Sequence, residues 1–364
     1  MSFLGGEEAV LTYQGARSFR QRIVCAALSG KTVKIKEIRA ADENPGLRDY
    51  EVSFLKLIEN ITNGSLIKIN VTGTSVTFKP GVLVGGEVSH DCGRERAIGY
   101  FLEPLVFLAP FGKKALFARL SGITNDELDL SVDTFRTVTL PFLARFGLEE
   151  DLELKIVGRG APPEGGGAVE FRCPIIKELK PCRLLEPGKV KRIRGVAYST
   201  RVSPQLSNRV VERAKDLLTR FTPNVFIYTD HYKGKDSGAS SGYALCLVAE
   251  TTTGCVISAE TIAQPRELPE DVAERGTRRL LEEILYGGCV DTATQPFALL
   301  FMVLCPEDVS KLRIGKLSPY SIQMLRHLKD FFGVTFKVEP DAETKTIKMT
   351  CLGSGFKNLA RKIS

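Results

Sequence analysis

Residues 311–351 run KLRIGKL (311–317), SPYSIQMLRHLKDFFG (318–333), VTFKVEP (334–340), a short polar link, and TKTIKMTC (344–351). In the second piece Met324, Leu325, Leu328, Phe331 and Phe332 recur three and four residues apart, which gathers them on one side of a helix. The flanking pieces are β-rich runs. The segment therefore predicts strand, helix and hairpin, a layer whose apolar side needs a partner.

The same order occurs upstream. FRQRIVCAALSG (19–30), KTVKIKEI (31–38) and LRDYEVSFLKLIENI (47–61) lead to SLIKINV (65–71) and SVTFKP (75–80) around a Thr72-Gly73-Thr74 turn. RERAIGYFLEPLVFLAPFG (94–112), KKALFARL (113–120) and VDTFRTVTLPFLARFG (132–147) lead to DLELKIV (151–157) and GAVEFRC (167–173). ERGTRRLLEEILYGG (274–288) and PFALLFMVLC (296–305) precede the segment quoted first. Each unit reads helix, strand, helix, hairpin, and the first two carry a strand in front. The expectation is an α+β protein of three repeated units packed by their helices.

Residues 185–264 break the pattern. They read as strand (189–200), helix (204–221), strand (224–230) and hairpin (244–251 with 255–262), bounded by Pro187-Gly188 and by Gln264-Pro265 with Pro269. The polar, Gly-rich HYKGKDSGASSG (231–242) reads as a mobile loop. The organisation expected is repeat one at 1–86, repeat two at 87–184, an inserted α/β domain at 185–264 and repeat three at 265–364.

Composition agrees with a soluble, multi-part protein: 364 residues, 43% hydrophobic and 26% charged. No apolar run approaches the roughly 20 residues of a membrane span, and the opening MSFLGGEEAVLTYQGARSFRQR has no basic-then-apolar signal pattern. No membrane partner is expected. The nine cysteines are widely spaced and form no CxxC pair, which points to a reducing compartment and no structural metal. The net charge is +7, and residues 184–222 hold nine basic and three acidic side chains. Lys191, Arg192 and Arg194 in that stretch are partner-binding candidates for nucleic acid or an acidic protein. A guarded strand edge explains them equally.

Arg159-Gly160-Ala161-Pro162-Pro163-Glu164-Gly165-Gly166-Gly167-Ala168-Val169 is the most unusual string. It resembles the signature of the RNA 3′-terminal phosphate cyclases. Further likeness lies in Ile38-Arg39-Ala40, Asn44-Pro45-Gly46-Leu47-Arg48, Phe78-Lys79-Pro80-Gly81 with Gly85-Gly86, and Gly287-Gly288-Cys289-Val290-Asp291. The resemblance spans the whole chain. It implies three βαβαββ units with a small α/β domain inserted between the second and third, and a chemistry in which a histidine is adenylylated by ATP and passes the nucleotide to an RNA 3′-phosphate.

Aligning on Phe331-Phe332-Gly333 places Tyr320 where that family has its histidine. A phenol with an ordinary pKa of about 10 is a poor nucleophile at neutral pH. Tyr13-Gln14-Gly15-Ala16-Arg17, Tyr50-Glu51 and Gln295-Pro296-Phe297 also depart from the family pattern. The resemblance is therefore to the family's eukaryotic non-cyclase branch. It implies a nucleolar, hence nuclear, factor of early small-subunit pre-rRNA processing. Such a factor works in the small-subunit processome with its small nucleolar ribonucleoprotein and binds a ribosome-assembly GTPase and pre-rRNA. No catalytic residue, cofactor or metal is expected.

Two alternatives stay open: a pre-rRNA endonuclease using Arg326, Lys329 and Asp330 beside the remodelled pocket, and a residual ATP-dependent cyclase. On the first reading, Arg326–Asp330 is equally an i,i+4 pair on a solvated face. Arg20, Arg39, Arg48, Arg94 and Arg96 are candidates for a retained anion or RNA site, with Arg94 and Arg96 expected at a helix N-terminus. Ion pairing within the chain is the competing account of these arginines. The adjacent pairs His90-Asp91 and Asp230-His231 read as loops and form no natural dyad.

Overall fold

The computed structural model describes residues 10–358, so residues 1–9 and 359–364 of the outer repeats lie outside the described part. The chain begins β1 (Leu11–Gln14), α1 (Phe19–Ser29), β2 (Val33–Lys36), α2 (Asp49–Ile61), β3 (Thr62–Asn63), β4 (Leu66–Ile69), β5 (Val76–Lys79) and β6 (Val82–Leu83). It continues with β7 (Gly86–Asp91), α3 (Ile98–Leu108) and β8 (Leu116–Gly122). A broken helix follows, made of α4 (Val132–Thr134), a π-turn at Phe135–Thr139 and α5 (Leu140–Leu143), before β9 (Glu153–Gly158) and β10 (Gly167–Cys173). Next come β11 (Arg183–Leu184), β12 (Val190–Thr200), α6 (Pro204–Leu218), β13 (Val225–Tyr232), β14 (Gly242–Thr251), β15 (Val256–Ile262) and α7 (Pro269–Tyr286). The described chain ends with α8 (Gln295–Val303), β16 (Val309–Ile314), α9 (Pro319–Phe332), β17 (Lys337–Asp341) and β18 (Thr346–Leu352).

The class is α+β. Three four-stranded sheets share one arrangement, in the orders β1-β2-β5-β4, β7-β8-β10-β9 and β11-β16-β18-β17. In each the first two strands are parallel and the hairpin is antiparallel. A fourth sheet, β13-β12-β14-β15, joins a parallel pair to an antiparallel hairpin.

Two boundaries differ from the expectation. The strand β11, counted with residues 87–184, pairs with β16 in the third sheet. Helix α7, counted with residues 265–364, packs on the fourth sheet, where its Val272, Ala273 and Leu280 join Ile193, Val210, Leu245 and Ile257 in one apolar cluster. The reason is its apolar stripe, which faces α6 and β15 rather than the central core.

That central core is continuous across the first three sheets. Every residue of α3 and of α8 is buried, as expected for helices apolar on all sides. They meet where Phe107 stacks on Phe297 at 4.6 Å, with Phe135 edge-on to Phe297 at 5.9 Å. Helix α9 closes the third sheet. Ser318 caps it by accepting from the Ser321 amide at 3.1 Å, Pro319 opens it, and Gly333 ends it at φ 71°. All nine cysteines are free and buried, and no helix among the described residues is long and apolar enough to cross a membrane.

The Gly-rich string is where the second and fourth sheets meet. Arg159 is fully buried and grips Asp133 with two hydrogen bonds of 2.6 and 2.8 Å. It also reaches Asp230 of β13 at 3.0 Å and lies over the Tyr198 ring of β12 at 4.1 Å. Gly160 and Gly167 are glycines because a Cβ at either would sit 2.3–2.4 Å from the other's amide nitrogen. Segment 231–242 is not the mobile loop expected. Its Asp236 carbonyl accepts from the Arg159 amide at 2.8 Å, Ala239 donates to the Gly165 carbonyl at 3.3 Å, and Ser237 is fully buried. Removing one partner of such a pair strands the other charge in the interior. Arg159→Met should therefore lower unfolding stability by about 3–5 kcal/mol, read as a drop in the urea midpoint. Arg159→Met combined with Asp133→Leu should cost less than the two single changes added together.

Candidate functional site

A cavity of about 430 Å³ opens where α1, α3, the loop after β8, β15, α7 and the starts of α8 and α9 converge. Five carboxylates line it, from Glu103, Asp126, Glu127, Asp129 and Glu260, against two guanidinium groups, from Arg20 and Arg279. Tyr320, in the first turn of α9, stands in its wall and donates its hydroxyl hydrogen to Glu103. Burial and the Glu103 charge push the phenol well above its ordinary pKa. Burial likewise raises the Glu103 carboxyl, which the nearby Arg20 guanidinium partly offsets. Glu103 is the only charged residue of α3, IGYFLEPLVFL. That lone acid in an apolar helix was the sequence signal for this cavity, and it was missed.

The candidate arginines do not converge on an open anion site. Arg20 lies 3.4 Å from Glu103 and 3.5 Å from Asp129, and 4.1 Å over the Tyr100 ring. Arg96 forks onto Asp129 at 2.6 and 2.7 Å. Arg39 forks onto buried Glu51 at 2.7 and 2.8 Å, and Glu51 also accepts from the Arg48 amide at 2.9 Å, capping α2. Arg48 reaches Asp42 at 3.5 Å, and exposed Arg94 pairs with Glu164 of the Gly-rich loop at 2.5 Å. Arg94 and Arg96 precede α3 rather than opening it. The helix entrance is taken by Asp126, which accepts from the Ala97 amide at 3.1 Å. Each candidate arginine thus has a carboxylate of the chain as its partner.

The other candidates lie elsewhere. Lys191, Arg192 and Arg194 are exposed on β12 and do not line the cavity, and both arginines pair with Glu250. Arg326, Lys329 and Asp330 are exposed on α9. Among the described residues no ion pair joins Arg326 to Asp330. The Asp330 carboxylate instead accepts from the Tyr13 hydroxyl at 2.8 Å, because Tyr13 stacks along Phe331 at 6.0 Å. The Asp330 carbonyl accepts from the Lys31 ammonium at 3.2 Å. No cluster of three or more metal-ligating side chains is found among the described residues. His90-Asp91 and Asp230-His231 lie in β7 and β13 rather than in loops, and their imidazoles contact Ser53 at 3.0 Å and Ser199 at 2.7 Å.

A fold of three like sheets around one core, with a signature arginine buried beneath a glycine triplet, defines a class, and sequence comparison names it. The pattern of the RNA 3′-terminal phosphate cyclase family matches residues 11–338, and the chain belongs to that family. It is 53% identical over 365 residues to the RNA 3′-terminal phosphate cyclase-like protein of Homo sapiens, covering 97% of this chain and 98% of that protein. It is 55% identical over 368 residues to a probable RNA 3′-terminal phosphate cyclase-like protein of Dictyostelium discoideum, covering 97% and 99%. To the rRNA processing protein rcl1 of Schizosaccharomyces pombe it is 45% identical over 355 residues, covering 96% and 98%.

Behind the cavity a short relay fixes the end of α9. The Gln21 amide donates to the Tyr320 carbonyl at 3.0 Å, and its oxygen accepts from Nδ1 of buried His327 at 3.1 Å. Burial, helped by Arg22 and Arg326, lowers the His327 pKa from its ordinary 6.5 to about 4. A lowered imidazole pKa means the unfolded chain takes up a proton that the fold refuses, so stability falls as pH drops from 6.5 toward 4. The loss should be on the order of 3 kcal/mol. Urea unfolding of the parent and of His327→Gln at pH 7 and pH 4.5 tests this, and the variant should show the smaller pH dependence.

Proposed function

We propose that this protein is a non-cyclase factor of early pre-rRNA processing for the small ribosomal subunit. In this reading it acts in the nucleolus within the small-subunit processome, beside its small nucleolar ribonucleoprotein, and binds a ribosome-assembly GTPase and pre-rRNA. The observation that carries the non-cyclase part is Tyr320. Its phenol, hydrogen-bonded to Glu103 and held protonated, stands where the family's chemistry needs a neutral imidazole. The carboxylates around it repel the phosphates of a nucleotide. The name of the Schizosaccharomyces pombe relative, an rRNA processing protein, supports the rRNA-processing part. We further infer that the three like sheets are copies of one βαβαββ unit, and that the fourth sheet with α6 and α7 is an insert between the second and third.

The endonuclease alternative gains nothing from the geometry, since Asp330 is engaged by Tyr13 and its helix neighbours point to solvent. Purified protein incubated with ATP labelled at the α-phosphate should form no covalent adenylate, and an RNA 3′-phosphate should stay open. A labelled adduct on the chain would revive the cyclase reading. In cells, depletion should make unprocessed pre-rRNA accumulate and small-subunit rRNA fall, with Tyr320→Phe restoring both. Unchanged pre-rRNA intermediates after depletion would refute the processing role.

A further inference from the structure

Helices α6 and α7 cover one face of the fourth sheet, burying Ile193, Ala197, Ile227, Leu245 and Leu247. Strand alternation puts Arg192, Arg194 and Val196 of β12, with Phe226 and Tyr228 of β13, on the opposite face. The register sets Phe226 beside Arg194 and Tyr228 beside Val196. Part of this face is closed within the molecule, where Cys246 and Val248 of β14 pack on Val138 of the π-turn. Further along, Tyr198 and Asp230 are closed by Arg159, and the stretch before them is open: Phe226 is 48% exposed and Tyr228 65%.

Two aromatic rings on an edge strand, unused by the core and next to guanidinium groups, have the chemistry of a stacking platform. Their Cα atoms stand about 6.6 Å apart along the strand, so each ring can meet a separate unstacked base. Arg192 and Arg194 share the single carboxylate of Glu250, which braces both against the sheet and leaves a positive excess. Lys191 adds a further exposed charge at the strand's start.

We propose that this open face of β12 and β13 is a seat for single-stranded RNA, with bases stacking on Phe226 and Tyr228 and phosphates held by Arg192 and Arg194. The proposal deepens the reading of the chain as a pre-rRNA factor and rests on it. A duplex does not suit the face, because its bases are already stacked and its deep groove is closed to side chains on a flat sheet. An acidic protein segment would use the arginines but not need the rings.

The test is fluorescence anisotropy of the full chain with labelled oligo-uridylate and with a labelled adenylate–uridylate duplex. Oligo-uridylate should bind in preference to the duplex. Phe226→Ala and Tyr228→Ala should each weaken it by about tenfold, Tyr228→Phe should hold the parent affinity, and melting temperatures should stay at the parent value. Arg194→Ala should flatten the log–log salt dependence by about 0.7. Oligo-uridylate binding that survives both alanine changes overturns the seat while leaving RNA contact elsewhere in place. Equal loss with duplex and single strand also overturns it. A parent chain that binds neither RNA removes the seat and the direct-RNA part of the processing reading together.

Discussion

The ion pair between Arg159 and Asp133 is the constraint on which the arrangement of the second and fourth sheets depends. Both side chains are essentially dry, with relative exposures of 0% and 1%. Burial opposes ionisation of Asp133, yet the Arg159 charge and its two hydrogen bonds hold the carboxyl below its usual range. A buried charge is tolerable only when its partners are fixed in place. Here they come from α4, from β13 and from the ring of Tyr198, so the pair requires those elements to keep their relative positions. The glycines follow from this. With the guanidinium pinned beneath it, the loop at 160–167 must fold back on itself at backbone contact distance, where Gly160 and Gly167 leave no room for a Cβ.

The acid-lined cavity shows a second consequence of pairing charges inside the chain. Arg20 and Arg96 both lean on Asp129, Arg39 on Glu51, and the entrance of α3 on Asp126. Each contact replaces an external anion with an internal carboxylate held at fixed distance, which spares the entropy of recruiting one. Arg20, in the wall of the site, is therefore engaged by carboxylates of the chain, as are Arg39 and Arg96 outside it. A polyanion entering it would have to displace several such contacts and approach the carboxylates that made them.

Much of this fold was legible in the sequence, because the helix stripes and hairpins are local signals. Met324, Leu328 and Phe331 appear in α9 as a buried stripe, and the Thr72-Gly73-Thr74 turn joins β4 to β5. What was not legible depends on residues far apart. The excess charge at 184–222 fits an open patch and a guarded strand edge equally, and the partners of Arg209, Arg213, Arg192 and Arg194, namely Glu270, Glu274 and Glu250, lie outside that window. Helix α7 carries a stripe that fits either of two neighbours, and periodicity cannot say which. The Gly-rich string stands out in the sequence as a family signature, while its first residue, Arg159, is the one that organises the surroundings. Glu103 was hidden for the opposite reason: a single acid in an apolar helix gives no pattern, only an exception.

The fourth sheet divides its outer face between two uses, and the π-turn explains how. Residues 135–139 widen the helix between α4 and α5, and Val138 projects onto Cys246 and Val248. Just before it, Ser131 and Thr134 donate to Glu260 of β15, so the start of the broken helix is bonded to the far edge of the same sheet. A regular helix of that length would turn these contacts out of register, since a π-turn adds a residue to the winding. The docking thus covers β14 and β15, and Arg159 covers β12 and β13 at Tyr198 and Asp230. The stretch of β12 and β13 before those residues is left open on that face, and there Phe226 and Tyr228 remain in solvent on an otherwise well-packed sheet. Exposure at this one place is a result of where the second sheet attaches; the two rings stand in solvent there, beside arginines whose two charges share the one carboxylate of Glu250.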